Sequence, residues 1–288
     1  MKQQQYYIQI NKEPKPFIKW VGGKRQLITY LQKKLWKNMN DYFEPFLGGG
    51  ALFFNLSFNM KKINFNISDL NPELIRSYIV VRDQVEELIE SLQNHSHHYK
   101  LNPKSYYYYV RKSKPKNDVD LASRLIFLNK TCFNGLYRVN SAGKFNVPLG
   151  KYSKPNIVNK ENLLNVSNLL QTLNVSIKCN DFFDVYKKIQ KNDFIYLDPP
   201  YYPLSSTSNF TSYTNNNFKL TDFYRLLDLS EKLHELGCKI MMTNSNTQFI
   251  LDSFSASHWR ILNVQTNRTI NSNPKHRTHY SELIITNY

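Results

Sequence analysis

Short apolar runs followed by polar or glycine-rich residues alternate along the chain with stretches of helical periodicity. Five such strand–loop–helix segments predict a parallel sheet flanked by helices. They span residues 41–58, 63–81, 175–189, 194–202 and 239–254. Two further apolar runs, at residues 259–264 and 282–288, predict a last pair of strands joined by a polar, basic loop. We therefore expect an α/β fold, a three-layer α/β/α sandwich around a mainly parallel seven-stranded sheet.

The pattern changes between residues 72 and 174, which read as mainly helical and contain four consecutive tyrosines and a loop rich in Asn, Lys, Arg and Gly. We interpret residues 72–174 as an inserted domain that faces the substrate. Residues 1–71 and 175–288 then form the catalytic domain. Residues 203–217 are rich in Ser, Thr and Asn and are predicted to form a mobile loop.

Composition narrows the class of protein. A chain of 288 residues can bury a large core in one large domain or two unequal ones. With 41% hydrophobic and 14% aromatic residues, a disordered chain is excluded. Lys and Arg number 38 against 22 Asp and Glu, and the net charge of +16 favours a polyanionic partner, nucleic acid first. An AT-rich genome would also enrich Lys and Asn, so charge alone leaves the partner open.

The cysteines and the N-terminus indicate the compartment. Three widely spaced cysteines have neither metal-ligand nor redox spacing, which predicts free thiols in a reducing compartment: Cys132, Cys179 and Cys238. Residues 1–14 are polar and lack the apolar segment of a secretory signal. No apolar run approaches the roughly 18 residues of a membrane span. We expect a cytoplasmic protein of a bacterial cell or a virus-infected one, without membrane attachment.

The sequence Asp198-Pro199-Pro200-Tyr201 directly follows the apolar run 194–197. Each proline lacks an N–H and has a fixed φ, so the chain leaves the predicted strand through a rigid turn with free carbonyl groups. The aspartate adds a strong acceptor, and the tyrosine adds a flat stacking surface. Together these groups predict a pocket that accepts protons from a planar amino group and stacks on the ring that carries it. Chemistry on the exocyclic nitrogen of a nucleobase needs such a pocket.

A second motif is the run of glycines 48–50, which follows a predicted strand ending near Phe43 and precedes a helix from Ala51. Glycines let the backbone bend and approach a ligand closely. Asp69 ends the next predicted strand about 20 residues on, where an acid often binds ribose hydroxyls. Capping of a helix at Pro72 is the alternative role for Asp69. The glycine spacing is not that of a dinucleotide-binding loop, which disfavours a nucleotide-dependent oxidoreductase.

Together these segments resemble the Dam-type DNA adenine methyltransferases, the alpha group that modifies N6 of adenine in GATC. The sequence KPFIKWVGGK at residues 15–24 resembles motif X of that family, FEPFLGGG at 43–50 resembles motif I, and DPPY resembles motif IV. The order of the motifs is that of the alpha group. The resemblance covers about residues 17–288, whereas the first fourteen residues match nothing in it. It implies a class I methyltransferase fold and S-adenosylmethionine as the cofactor.

The resemblance also implies site residues. Asp181 and Phe182, after the predicted strand 175–179, would bracket the adenine of the cofactor, although a plain core role for Phe182 is the alternative. The implied catalytic residues are Asp198, Pro199 and Tyr201. The implied cofactor-binding residues are Trp20, Gly22, Lys24, Phe46, Gly48, Gly50, Asp69, Asp181, Phe182 and Asp198.

Residues 129–138 and 143–152 resemble the hairpin with which Dam-type enzymes recognise GATC. Arg138 can make a bidentate contact with guanine, and Phe133 can fill the space that a flipped adenine leaves. The family often has Tyr where Phe133 stands and Arg where Lys151 stands. Unlike Arg, Lys cannot make a bidentate contact with two acceptors. The implied DNA-binding residues are Lys19, Phe133, Asn134, Leu136, Arg138, Asn140, Asn146, Pro148, Lys151 and Tyr152.

We therefore expect an adenine-specific DNA methyltransferase that transfers methyl from S-adenosylmethionine to N6 within double-stranded GATC. An aspartate at the start of the tetrapeptide favours adenine over cytosine N4, where Ser is usual. No metal is needed, and the three histidines at 95, 97 and 98 are predicted to form a solvated helix end. An RNA adenine methyltransferase and a non-catalytic DNA-binding relative are the alternatives. A monomer suffices, with a weak dimer as the alternative, and a restriction-modification, solitary or phage role stays open.

Overall fold

The computed structural model describes residues 13–24, 26–60, 62–201, 218–267 and 279–288. In this part of the chain, seven strands form one sheet in the order β3-β2-β1-β4-β5-β7-β6. The strands are β1 (Tyr42–Glu44), β2 (Phe65–Asp69), β3 (Val175–Cys179), β4 (Phe194–Leu197), β5 (Lys239–Ser245), β6 (Arg260–Asn267) and β7 (His279–Thr286). β7 runs antiparallel to both of its neighbours, and the other pairings are parallel. The predicted mainly parallel seven-stranded sheet is confirmed.

Nine α-helices lie in the described residues, and they are α1 (Ile28–Lys34), α2 (Ala51–Asn59), α3 (Pro72–Asp83), α4 (Val85–Leu101), α5 (Pro103–Lys112), α6 (Asp118–Thr131), α7 (Lys160–Thr172), α8 (Leu220–Glu235) and α9 (Gln248–Ser253). Two 3-10 helices span Phe133–Gly135 and Phe182–Lys187. The insertion at residues 72–174 is mainly helical, as its periodicity predicted, because α3 to α7 occupy most of it.

Alternate residues of the central strands face opposite layers of helices. In β4, Phe194 and Tyr196 belong to one apolar cluster, whereas Ile195 and Leu197 belong to another. The first cluster includes side chains from α1 to α7, and the second includes side chains from α8, α9 and the 3-10 helix after β3. Successive side chains of a strand point to opposite faces, so a buried strand without polar alternation needs cover on both sides. The predicted three-layer arrangement is therefore confirmed.

Asparagine and proline fix the start of α3. The side chain of Asn71 accepts a hydrogen bond from the N–H of Leu74 at 3.1 Å, and Pro72 occupies the first helical position. Proline suits this position because its missing N–H has no partner in the first turn anyway. The cap of α3 is thus Asn71, and the alternative role of Asp69 as that cap is wrong.

The helices of residues 72–174 share their core with the sheet. Tyr78 in α3 contacts the ring of Phe17 edge-on at 4.8 Å and stacks with Phe54 of α2. The helices also support the hairpin at residues 132–149, because the hydroxyl of Tyr107 in α5 donates to the carbonyl of Val147 at 2.8 Å. The division of the chain at residues 72 and 174 stays a prediction.

A hairpin is present at the predicted position, although it is irregular, and its role in recognition stays a prediction. Antiparallel bridges join Cys132 to Leu149 and Val139 to Phe145, and the register shifts between them. The shift arises at Phe133–Gly135, where Asn134 has φ 56° and Gly135 has φ 66°. Asn and Gly adopt this left-handed conformation most readily, so these two residues allow an extra turn within one arm of the hairpin.

The ends of the chain differ in detail from the sequence-based prediction. The last two strands begin at Arg260 and His279, and the second therefore starts before the predicted residue 282. The basic loop between them at residues 268–278, the loop predicted at 203–217 and residues 1–12 lie outside the described residues. Within the described ranges, no helix is long and apolar enough to cross a membrane.

Candidate active site

The predicted motifs meet at one edge of the sheet. Strands β1, β2 and β4 are parallel, so their carboxyl ends point the same way. The glycine loop follows the end of β1 at Glu44, Asp69 ends β2, and Asp198 directly follows the end of β4. Open parallel sheets bind ligands outside the carboxyl ends of their strands. The candidate active site is therefore built at this edge.

Asp198 is held by two donors on the same oxygen. Its Oδ1 lies 2.8 Å from the ammonium of Lys24 and accepts a 2.8 Å hydrogen bond from the hydroxyl of Thr243. The Thr243 hydroxyl in turn lies 3.1 Å from the phenol oxygen of Tyr196. Burial raises the pKa of Asp198 above its ordinary value, while Lys24 and Thr243 oppose that rise. Because both contacts engage Oδ1, the two carboxylate oxygens differ in what they can accept.

Lys24 ties the N-terminal motif to the DPPY turn. Its side chain is only 5% exposed, and its ammonium also contacts the carbonyl of Gly22. The same ammonium lies 4.6 Å from the ring centroid of Tyr201, within the range of a cation–π contact. The structure thus places Lys24, predicted to border the cofactor, directly on the predicted catalytic carboxylate.

The glycine loop is fixed by Asp69 and covered by Trp20. The N–H of Gly48 donates to Asp69 Oδ2 at 2.9 Å, and the N–H of Asn71 donates to Oδ1 at 2.9 Å. Burial raises the pKa of Asp69, and these backbone donors oppose the rise. Gly48 has φ 48°, and a Cβ atom there would lie 2.7 Å from Cδ1 of Trp20. Only glycine therefore permits this close approach of the tryptophan to the loop.

A third group joins the residues predicted to surround the cofactor adenine. The rings of Phe46 and Phe182 stack with centroids 5.2 Å apart. Asp181 caps the 3-10 helix by accepting from the N–H of Phe183 at 2.9 Å. Its carboxylate also forms a 2.7 Å ion pair with Arg225 of α8, whose guanidinium lies over the Phe182 ring. The structure brings all three predicted residues together and adds Arg225 to them.

The hairpin is attached to the N-terminal segment that carries Lys24. The buried side-chain amide of Asn129 accepts from the N–H of Lys19 at 2.8 Å and donates to the carbonyls of Lys19 and Gly135. The ring of Trp20 stacks on Tyr137 at 5.2 Å. Lys19 and Trp20 thus connect the hairpin with both the glycine loop and Lys24.

The predicted DNA-binding residues share one hairpin and its border but differ in exposure. The exposed ones are Lys19, Phe133, Asn134, Asn140, Pro148 and Lys151, and the half-buried ones are Leu136, Arg138, Asn146 and Tyr152. Arg138 donates from Nε to Asn146 Oδ1 at 2.7 Å. Asn140 accepts from the N–H groups of Ala142 and Lys144 and so shapes the turn of the hairpin.

Comparison with known proteins decides the family. A family model described as D12 class N6 adenine-specific DNA methyltransferase matches residues 20–270. The chain belongs to this family. It is 40% identical to the Type II methyltransferase M1.LlaDCHI of Lactococcus lactis, over 95% of each chain, and 42% identical to the Type II methyltransferase M.MjaIII of Methanocaldococcus jannaschii, over 96% and 100%. It is 32% identical to a DNA adenine methylase of Vibrio cholerae, over 95% and 96%.

As a D12 enzyme, the protein is an adenine-specific DNA methyltransferase whose methyl donor is S-adenosylmethionine. The residues at the sheet edge fit this donor. Ribose hydroxyls and the adenine amino group are hydrogen-bond donors, and the carboxylates of Asp69 and Asp181 are acceptors that suit them. Phe46, which is half-buried, offers aromatic surface for the adenine ring, whereas Phe182, stacked against it, is buried and packs in the core.

Several residues that contact the predicted site residues were missed by sequence reasoning. They are Thr243, Glu282, Asn129 and Arg225. The sequence could have indicated Thr243 as a site residue, because β5 changes from apolar to polar at its carboxyl end, next to the end of β4. Glu282, which accepts from the Tyr201 hydroxyl at 2.5 Å, is an acid just before the apolar run of β7. Arg225 carried no comparable signal, because its partner Asp181 lies 44 residues away. Asn129 begins the segment that resembles the recognition hairpin, but nothing in the sequence indicated its contact with Lys19.

The histidines are arranged differently from the prediction. His97 and His98 are exposed, but His95 is half-buried, bonds the Tyr106 hydroxyl at 2.8 Å and stacks on Phe127 at 4.9 Å. Burial lowers the pKa of His95 to about 4, so the ring is neutral at pH 7. The expectation of a fully solvated cluster is therefore wrong for His95. In the described ranges, no cluster of His, Cys, Asp and Glu is suited to hold a metal ion.

Glu44 is a buried acid between the other carboxylates of the D12 site. It is 2% exposed and accepts from the Tyr42 hydroxyl at 2.8 Å. Burial raises the pKa of Glu44 to about 8, and the charges of Asp198 and Asp69 add to the rise. Glu44 is therefore mainly protonated at pH 7, which limits the negative charge buried at this edge.

We expect Glu44→Gln to flatten the pH dependence of stability. The pKa of the folded state, about 8, exceeds that of the unfolded chain, so the folded state binds the proton more tightly. The wild-type free energy of unfolding should fall as pH rises from about 4.5 to 8, by on the order of 2 kcal/mol between pH 6 and 8. Urea unfolding at both pH values measures the change. An equally steep loss in the variant would contradict the assignment.

Proposed function

We propose that this D12 methyltransferase modifies the adenine of GATC in duplex DNA and takes that adenine out of the helix into a pocket formed by Asp198, Pro199 and Tyr201. The observation that carries the proposal is the orientation of Asp198 by Thr243 and Lys24, beside an anchored tyrosine ring. N6 of a paired adenine is out of reach of such a pocket, so the base must leave the stack.

The pocket explains how a poor nucleophile reacts. The N6 lone pair is delocalised into the adenine ring. With Oδ1 of Asp198 engaged by Lys24 and Thr243, Oδ2 accepts one N6 hydrogen, and the carbonyl of Pro199 accepts the other. These bonds draw the nitrogen towards tetrahedral geometry while Tyr201 stacks on the base. Positioning and fixed charges supply the acceleration.

The electron balance is that of a direct displacement. S-adenosylmethionine supplies an electrophilic methyl group on a positively charged sulfur. The N6 lone pair forms the new N–C bond as the S–C bond breaks, and the bonding pair returns to sulfur. The nitrogen then carries the positive charge and loses one proton to the solvent by way of Asp198, which regains its charge.

The hairpin supports GATC as the target. Arg138 bonds Asn146 through Nε, which leaves its two terminal nitrogens for O6 and N7 of guanine. Phe133, 45% exposed, is available to enter the space left by the flipped adenine. Leu136 and Pro148 offer apolar contacts for a thymine methyl group. The proposed recognition unit is residues 72–174.

The proposal extends to assembly, location and role. One molecule carries both the pocket and the hairpin, so we propose that it acts as a monomer in the cytoplasm. The identity of 40–42% to proteins named Type II methyltransferases, against 32% to a DNA adenine methylase, supports a role in a restriction-modification system.

The first test is methyl transfer to defined duplexes. Labelled S-adenosylmethionine is supplied with unmethylated DNA that contains GATC or a site changed at one base, and the nucleosides are then separated. We expect label in N6-methyladenine with GATC only. Label on other sequences would reject the recognition proposal and retain the chemistry. Label on RNA alone would favour the RNA alternative.

We expect Asp198→Ala to lower methyl transfer by more than about 100-fold, since it removes the acceptor for the N6 hydrogen. The affinity for duplex DNA should change little, because the hairpin lies elsewhere. Single-turnover transfer and DNA titration measure the two quantities. Asp198→Asn, which keeps the side-chain shape, should lose transfer comparably. Loss of DNA affinity as large as the loss of transfer would contradict the assignment.

We expect Arg138→Ala to reduce discrimination between GATC and sites changed at the guanine by about 10- to 100-fold, because a bidentate base contact is lost. Lys151→Ala is the matched control. A single ammonium that contacts phosphate should weaken binding to all duplexes alike. Competition titrations with both DNA sets distinguish the two. Unchanged discrimination would remove Arg138 from the recognition set.

A further inference from the structure

Glu282 is an acidic residue directly before the apolar run Leu283–Ile285 in β7. Its register partners are Ser245, the last residue of β5, and Val264 of β6. β4 and β5 are parallel, so both end at the same edge of the sheet, and Asp198 directly follows the end of β4. Glu282 therefore lies at that edge too. The antiparallel strand thus returns a carboxylate to the catalytic edge of the sheet.

The Tyr201 ring is restrained at both ends. Its hydroxyl donates to Glu282 Oε2 at 2.5 Å, and its backbone follows two prolines with fixed φ. The ammonium of Lys24, 4.6 Å from the ring centroid, adds a contact from the side. A ring that is held by its backbone, its hydroxyl and a cation has little rotational freedom left.

The phenol stays a donor at neutral pH. Burial raises the pKa of Tyr201 well above its ordinary value, and the negative charges of Asp198 and Glu282 add to the rise. A hydroxyl bound to a carboxylate forms a shorter and stronger hydrogen bond than one bound to a neutral acceptor. A carboxylate at position 282 is therefore a better anchor than an amide or a water molecule.

We propose that Glu282 is a positioning residue for the target base and fixes the Tyr201 ring in the plane on which the flipped adenine stacks. The inference rests on the proposed base flipping. Without the anchor, the ring would have to be ordered when the base arrives, which costs conformational entropy. The base would also sit less accurately opposite Asp198, and small misplacements of reacting groups slow a reaction strongly.

A double-mutant cycle tests the link between the two residues. We expect Glu282→Ala and Tyr201→Phe each to lower kcat/KM for the GATC duplex by roughly tenfold, the loss of one charge-assisted hydrogen bond. The double variant should lose no more than either single one, because all three lack the same bond. Glu282→Gln still offers an amide oxygen and should lose less than Glu282→Ala. Additive losses in the double variant would overturn the proposal.

Glu231→Gln is the matched control. Glu231 Oε1 accepts from the indole N–H of Trp259 at 2.9 Å, so it too is a carboxylate that anchors an aromatic side chain. Trp259 precedes β6 at the edge where β5 begins, away from the DPPY turn. Transfer by this variant should equal that of the wild type. A tenfold loss here as well would mean that such anchors act through stability alone and would overturn the proposal.

A second measurement reports the stacking itself. A duplex with 2-aminopurine at the target adenine should show a short fluorescence lifetime when the base stacks on Tyr201, and Glu282→Ala should lose most of that short-lived fraction. An unchanged lifetime in the variant would overturn the role of Glu282 and leave the base flipping intact. If the wild-type enzyme left 2-aminopurine inside the helix, the proposed base flipping would itself be rejected, and the inference with it.

Discussion

A buried ammonium paired with a half-buried carboxylate is the constraint around which the site is built. Taking Lys24 and Asp198 out of water costs several kcal/mol per ion unless close partners compensate both. The compensation comes from Gly22, Thr243 and the ring of Tyr201. Because these partners belong to three separate parts of the chain, the pair can exist only when the sheet edge is fully assembled.

The N-terminal segment that carries Lys24 also organises the rest of the enzyme. Lys19 is bound through both of its backbone groups by Asn129, and Trp20 lies between the glycine loop at Gly48 and Tyr137 of the hairpin. One short segment therefore touches the groups proposed for DNA recognition, cofactor binding and methyl transfer. The arrangement lets these functions share a single rigid reference, which suits a reaction that depends on positioning.

A second property of this edge of the sheet is its concentration of acidic residues. Glu44, Asp69 and Asp198 follow from adjacent strands, and burial raises the pKa of each. The protein meets this cost in different ways. Glu44 keeps its proton at pH 7, Asp69 accepts backbone N–H bonds, and Asp198 pairs with Lys24. The three carboxyl groups can therefore share this edge of the sheet, because Glu44 is uncharged and the charges of Asp69 and Asp198 are compensated.

Much of the fold and the site was present in local sequence. Strand and helix periodicity predicted the mixed sheet and the helical insertion, and the glycine loop and the DPPY turn follow from residues with special backbone properties, because such constraints act within a few residues. The partners of those residues were decided only by the tertiary structure. Thr243 reaches Asp198 because β5 pairs with β4, and Glu282 reaches Tyr201 because β7 runs antiparallel. Asn129 reaches Lys19 across 110 residues. Contacts of this kind depend on strand order and helix packing, which no local pattern encodes.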